Sequence, residues 1–206
     1  MNRPFPYGNR ERRMIRIGGF LPASRANGPG LRTVLWTQGC SLACPGCFNP
    51  GCQPADGGVG WSLSEAKRLL LDALRGKDGL TVSGGEPFQQ AEGMGALLAE
   101  LRYARDFSVI VLTGYTVAEL RYMPYARTVL AHTDVLIAGR YVAARRRGHG
   151  LLGSANKTMH FLTDRYIEAD FANLPEAEIM VASDGRVVVT GINPPQLAPD
   201  AAAATW

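Results

Sequence analysis

Apolar positions in this chain follow two periods that take turns. Residues 14–20 alternate (Met14, Ile15, Arg16, Ile17) and predict a short strand. Asn27, Gly28, Pro29 and Gly30 read as a turn, and the apolar run 31–36 predicts a second strand. Ser62 and Glu65 have the spacing of a capping box, and Leu63, Ala66, Leu70 and Leu74 then recur at helical spacing. Short strands follow at 80–82, 109–112, 135–137 and 158–162. Between them lie helices at 93–105, carried by Leu97, Leu98 and Leu101, and from Thr116 to residue 123; a last helix is expected at 164–172. Residues 179–181 and 186–190 flank Ser183, Asp184 and Gly185 and predict a hairpin.

Alternation of strand and helix argues for parallel strands with crossover helices. The expected fold class is α/β, a partial (β/α) TIM-like barrel of parallel strands with a C-terminal β-hairpin appendage. Residues 1–13 are basic and rich in Pro and Arg and read as a flexible arm. Residues 14–192 form one domain, and the Pro/Ala-rich stretch 193–206 reads as a disordered tail. No internal repeat is present.

Composition adds limits. The 206 residues, 46% hydrophobic and 19% charged, suffice for one compact domain with its own core. No apolar run is long enough to span a bilayer, and the first residues lack the apolar region of a secretory signal, so the expected setting is cytoplasmic, without a membrane. A net charge of +4, with no basic stripe interleaved with aromatics, argues against nucleic acid as a partner.

The chemistry concentrates in two places. All four cysteines lie between Cys40 and Cys52, which in a reducing compartment favours a metal over disulfides. Cys40, Cys44 and Cys47 supply three thiolates from one loop. That number leaves one iron of a [4Fe–4S] cube without a protein ligand, open to a substrate or cofactor. Zinc remains open on this loop alone, since Cys52 would complete a set of four. Cys52 reads as a spare thiol, as that fourth ligand, or as a thiol tied to catalysis. The second place is Ser83, Gly84, Gly85, Glu86, Pro87, between a strand and a helix. Two glycines permit close backbone approach, and carbonyls with a carboxylate suit an ammonium, hence an amino-acid-like ligand. A plain turn with Glu86 in solvent is the competing reading of this motif by itself. His132 and His160 read as structural, Trp36 and Trp61 as packing, and Arg145, Arg146 and Arg147 as a solvated loop or a docking loop.

Taken together, Cys40-x3-Cys44-x2-Cys47 and Gly84-Gly85-Glu86-Pro87 resemble the radical S-adenosylmethionine (SAM) superfamily. Asn27-Gly28-Pro29-Gly30-Leu31-Arg32-Thr33-Val34, Gln38-Gly39-Cys40, Cys44-Pro45-Gly46-Cys47-Phe48-Asn49, Leu112-Thr113-Gly114-Tyr115-Thr116 and Gly153-Ser154-Ala155-Asn156-Lys157 resemble the glycyl radical enzyme activating enzymes, and within them the anaerobic ribonucleotide reductase activators. The chain departs from that pattern in having Ala138-Gly139 for Asp-Gly and Asn156-Lys157 for Asn-Gln.

The resemblance implies a [4Fe–4S] cluster on Cys40, Cys44 and Cys47. It implies SAM on the open iron, cleaved reductively to a 5′-deoxyadenosyl radical that abstracts hydrogen. Ser83, Gly84, Gly85 and Glu86 are implied in cofactor binding at the methionine amino group, and Phe48 in packing on adenine. Thr113, Tyr115, Ser154 and Asn156 are implied in ribose or carboxylate contacts. The implied partners are a glycyl radical enzyme as substrate and an electron donor such as flavodoxin or ferredoxin. Two further readings stay open: a stand-alone radical SAM enzyme acting on a peptide or small molecule, and a non-enzymatic metal-binding module.

Overall fold

The structure, a computed structural model, describes residues 14–181, 185, 187–193 and, as backbone, 203–205. The arm expected at 1–13, the Ser183 and Asp184 positions of the hairpin turn, and most of 194–206 lie outside the described residues. Among the described residues ten strands and four α-helices follow in order: β1 (Met14–Ser24), β2 (Arg32–Thr37), β3 (Val59–Ser62), α1 (Leu63–Ala73), β4 (Gly79–Gly84), α2 (Ala91–Ala104), β5 (Ser108–Leu112), α3 (Val117–Leu120), α4 (Ala126–Leu130), β6 (Val135–Ala138), β7 (Thr158–Phe161), β8 (Ala177–Val181), β9 (Val187–Gly191) and β10 (Ala203–Thr205).

Seven strands form one sheet in the order β3-β1-β2-β4-β5-β6-β7. Its middle, β2-β4-β5-β6, is parallel, and those strands are buried along nearly their whole length, as strands covered on both faces must be. The flanks are not parallel. β1 runs antiparallel to both β2 and β3, and β7 runs antiparallel to β6. The sheet is therefore mixed, with a parallel centre; β3 was not legible as a strand.

One face is covered by helices. Ala66 and Leu70 of α1, Met94, Leu97, Leu98 and Leu101 of α2, and Ala126 and Val129 of α4 bury against Ile15, Ile17, Leu35, Val82, Val109, Val111 and Leu136. A Cβ on Gly95 would stand 2.9 Å from the Thr128 side chain, so glycine lets α2 lie close to the start of α4. The helix expected to run to residue 123 stops at Leu120, and a separate helix starts at Ala126 after Tyr125 takes a left-handed φ of 60°.

The other face is covered by irregular chain. Ile110, Val135 and Ile137 pack with Leu151, Tyr166 and Phe171. Only Glu168–Phe171, a single 3-10 turn, is helical in the stretch expected to be a helix at 164–172. Side-chain anchors outcompete the helix there. Tyr166 Oη bonds Ser108 Oγ at 2.7 Å, and Arg165 and Thr163 reach Asp134. The hairpin appears as expected: β8 and β9 pair antiparallel, with β10 parallel to β9 inside the stretch assigned to the tail. Met180 and Val188 pack on Leu21, Val34, Trp36 and Cys52, so the hairpin lies against the sheet face that carries the site. Among the described residues no helix is long and apolar enough to cross a membrane.

Candidate active site

Every strand of the parallel centre, β2, β4, β5 and β6, sends its C-terminal end into the same cleft. β2 leads into the cysteine loop, β4 into Ser83 to Glu86, β5 into Thr113 and Gly114, and β6 into the loop bearing Tyr141. Ligand sites in α/β sheets collect at this edge because that is where the loops splay apart. Cys40, Cys44, Cys47, Phe48, Ser83, Gly84, Gly85, Glu86 and Thr113 all line the cleft.

Backbone hydrogen bonds lock these loops together. Gly85 N donates to Thr37 O at 2.7 Å and Glu86 N to Gly39 O at 2.9 Å. Gly39 N and Cys40 N donate to Cys52 O and Gln53 O at 2.8 and 2.9 Å, closing the cysteine loop on itself. The two glycines are explained by this packing. Gly84 has φ 96°, and a Cβ there would lie 2.6 Å from Thr37 N; a Cβ on Gly85 would collide with Gly39 O and Cys52 O. They admit the neighbouring loop as closely as they would admit a ligand.

The three loop thiols are free and partly exposed. Among the described residues no three His, Cys, Asp or Glu side chains converge closely enough for a single ion. Cys52 differs: it is buried, packed among Leu21, Val34 and Trp36, and burial pushes its thiol up to about 11. Burial likewise pushes Cys40 up, reinforced by the charge of Glu86.

Glu86 does not face solvent. It is fully buried, and its carboxylate accepts from Phe88 N (2.9 Å), Thr113 Oγ1 (2.8 Å) and Gly114 N (2.7 Å). Burial raises its pKa, and those three donors and the Lys157 charge offset part of that rise. It staples the end of β4 to the end of β5.

Three of the residues implied by the resemblance are absent from the cleft lining. Tyr115 lies under Arg140, 5.1 Å from guanidinium to ring centre, and its hydroxyl accepts from Gln89 at 3.0 Å. Ser154 is fully buried and accepts from Val142 N at 3.3 Å. Asn156 Nδ2 donates to Arg140 O at 2.8 Å, and its Oδ1 is buried without a partner among the described residues. Phe48 lines the cleft but is already engaged, with Tyr141 4.5 Å away and the Arg146 guanidinium 4.9 Å from its centre.

Other lining residues carried no separate signal in the sequence. Tyr141, Lys157 and Ile192 line the cleft alongside Trp36. Lys157 was visible only as a departure from the Asn-Gln pattern. Ile192 comes from the chain just after β9, so the appended hairpin helps wall the site.

Residues 26–160 match the family described as a 4Fe-4S single cluster domain. The anaerobic ribonucleoside-triphosphate reductase-activating protein of Vibrio cholerae is 31% identical over 160 residues, covering 70% of this chain and 96% of that one. The protein of the same description from Pasteurella multocida is 33% identical over 129 residues, 59% of this chain and 81% of that one. The one from Escherichia coli K12 is 27% identical over 150 residues, 69% and 96%.

Proposed function

The chain belongs to the family of anaerobic ribonucleoside-triphosphate reductase-activating proteins, built on a 4Fe-4S single cluster domain, and from that premise we propose a radical SAM activating enzyme whose substrate is a glycine on an anaerobic glycyl radical reductase. One observation carries the reading: the free thiols of Cys40, Cys44 and Cys47 share a cleft with the Ser83 to Glu86 turn. When bound, the cluster and SAM supply the electron transfer and the 5′-deoxyadenosyl radical that takes a hydrogen atom.

The donor set fits that group. Three unpaired thiols from one loop, with Cys52 sealed into an apolar cluster, leave three protein ligands and not four. Cys40, Cys44 and Cys47 hold the cluster. Ser83 and Gly84 present the backbone edge for the methionine ammonium, and Glu86 contributes its negative charge from behind while holding the turn against Thr113 and Gly114. Phe48 and Tyr141 form the aromatic wall on the adenine side. Ser154 and Asn156 act by positioning, since one supports Val142 and the other Arg140. Tyr115 supports the Arg140 loop in the same way. The sheet is read as an incomplete barrel, and its open side gives a protein segment access to the cleft. An external donor such as flavodoxin or ferredoxin supplies the electron.

Anaerobic reconstitution with iron and sulfide, then dithionite and SAM, tests this. Methionine and 5′-deoxyadenosine should form, and adding the partner reductase should speed their release and give a glycyl radical signal by EPR. Zinc in place of iron, or a reduced cluster that leaves SAM intact, would falsify the reading. Turnover on an isolated peptide or small molecule without a partner would overturn the substrate.

A further inference from the structure

Lys157 brings to the cleft wall a cationic group with no hydrogen-bond or ion-pair partner among the described residues. It follows the Gly153 to Asn156 turn, immediately before β7. Its backbone is fixed on both sides. Lys157 N donates to Ser154 O at 3.1 Å, and Asn156 is tied through its side chain to Arg140 O. Gly139, at φ 118°, lies beside it, where a Cβ would be in van der Waals contact with Lys157 Cα at 3.4 Å. The side chain lines the cleft. Among the described residues its ammonium makes no hydrogen bond or ion pair, while it feels the charges of Glu86, Cys44 and Cys47.

A cation costs free energy to hold in a wall without a counter-ion, and burial accordingly pushes the Lys157 pKa down. Glu86, whose carboxylate accepts from Phe88, Thr113 and Gly114, opposes that shift through its charge without a hydrogen bond to the ammonium. The other anions that act on Lys157 are the thiolates of Cys44 and Cys47 in the cysteine loop, and with them whatever that loop holds.

We propose that Lys157 is an electrostatic tuning residue, whose ammonium raises the reduction potential of the iron–sulfur cluster held by Cys40, Cys44 and Cys47. The inference rests on the reading of the site given under Proposed function. Reduction adds one electron from an external one-electron reductant; no bond forms or breaks, and no proton need move. The site becomes more negative by one charge, and a fixed cation nearby lowers the cost of that charge, more so in a protein wall than in water. Net charge near the cluster is one of the levers by which proteins set such potentials.

The test is an EPR-monitored redox titration without SAM, on reconstituted wild type, Lys157→Met, Lys157→Gln, Lys157→Arg and, as a control for overall charge, Arg68→Gln on exposed α1 surface. Iron and sulfide content is measured first on each. Lys157→Met and Lys157→Gln should lower the ratio of reduced to oxidised cluster at a fixed potential about tenfold, about 59 mV for one electron. Lys157→Arg should stay near wild type, and Arg68→Gln should not move. Unchanged midpoints in cluster-bearing Lys157→Met and Lys157→Gln would overturn the inference while leaving the site reading intact. So would loss of the cluster in both with retention in Lys157→Arg, which would make the lysine a structural requirement. A wild-type protein that takes up no cluster would overturn the site reading, and this inference with it.

Discussion

Replacing Glu86 by glutamine should destabilise the cluster-free protein by about 2 kcal/mol. The carboxylate accepts three hydrogen bonds and donates none: Phe88 N and Thr113 Oγ1 reach Oε1, and Gly114 N reaches Oε2. A glutamine has one acceptor oxygen. If that oxygen keeps the two donors on the Oε1 side, the amide NH2 meets the Gly114 N–H donor to donor. A charge-assisted bond of about 1.5–3 kcal/mol is lost, and the Gly114 N–H is left unsatisfied, while relief of the buried charge returns part of that. Flipping the amide is worse, because it breaks two bonds. Glu86→Ala removes all three and should cost about 4 kcal/mol. For a chain of 206 residues each kcal/mol moves the melting midpoint about 2–4 °C, so Glu86→Gln should melt about 4–8 °C lower. The assay is thermal or urea unfolding of apo protein under reducing, oxygen-free conditions, which separates the staple from any role toward a cofactor. Thr113→Val should cost about 1 kcal/mol alone, and the Glu86→Ala/Thr113→Val pair should fall short of additivity by a similar amount. A Glu86→Gln midpoint within about 1 °C of wild type would refute the argument, since a group that accepts from three donors cannot lose an acceptor without cost.

Three further outcomes follow from the same structure. Cys52→Ala should retain full iron content after reconstitution, whereas Cys40→Ala, Cys44→Ala or Cys47→Ala should each lose most of it; iron loss in Cys52→Ala would mark that thiol as a ligand despite its apolar burial. Arg32→Met should destabilise the fold by about 3 kcal/mol in urea unfolding, because the buried guanidinium serves Thr81, Ser108, Tyr166 and the Leu80 carbonyl at once; a change below about 1 kcal/mol would show that those groups find other partners. Glu119 is held down to about 2 by Arg140 first and then by the Thr116 backbone and hydroxyl. Its folded value is depressed, so its contribution is complete above about 4.5 and is lost as pH falls toward about 2; in Glu119→Gln the acid limb of a stability–pH curve should be flatter over that window.

Much of this was legible from residue type and spacing, and the failures have physical reasons. The parallel centre announced itself because strands buried on both faces must be apolar throughout, as in Val109, Ile110 and Val111. β3 stayed hidden because Val59, Gly60, Trp61 and Ser62 form an exposed edge whose only strong signal is its pairing with β1, a tertiary fact. The helix expected at 164–172 failed because Tyr166 and Arg165 gain more from Ser108, Arg32 and Asp134 than from a helical ladder. The cysteine loop and the glycine turn were legible as motifs, but what Glu86 bonds to was not, since its partners lie up to 28 positions away. Tyr141 and Lys157 reach the cleft only because β6 and β7 are neighbours, and no local pattern encodes that.

The ladder of the parallel sheet does not end where the strands end. Past β2 and β4 it continues as Gly85 N to Thr37 O and Glu86 N to Gly39 O; past β5 and β6 it continues as Thr113 N to Ile137 O and Gly139 N to Tyr115 O. Glu86 bridges the two halves through Thr113 and Gly114. Arg140 repeats the device one strand further, donating to Gly114 O at 2.7 Å and to both oxygens of Glu119 at 2.9 Å. Each loop is thus tied to the next by at least one bond that any displacement of the loop would have to break. That arrangement answers a specific demand. Radical chemistry of the proposed kind gains nothing from a mobile acid or base; it requires that a reactive carbon be generated at a fixed distance from the hydrogen it takes, in a cleft that does not relax around it. A site assembled from four separate loops at the strand ends would ordinarily be the softest part of such a fold. Here the glycines at 84 and 85, by removing the side chains that would hold the loops apart, and the buried carboxylate, by cross-linking them, make it an extension of the sheet.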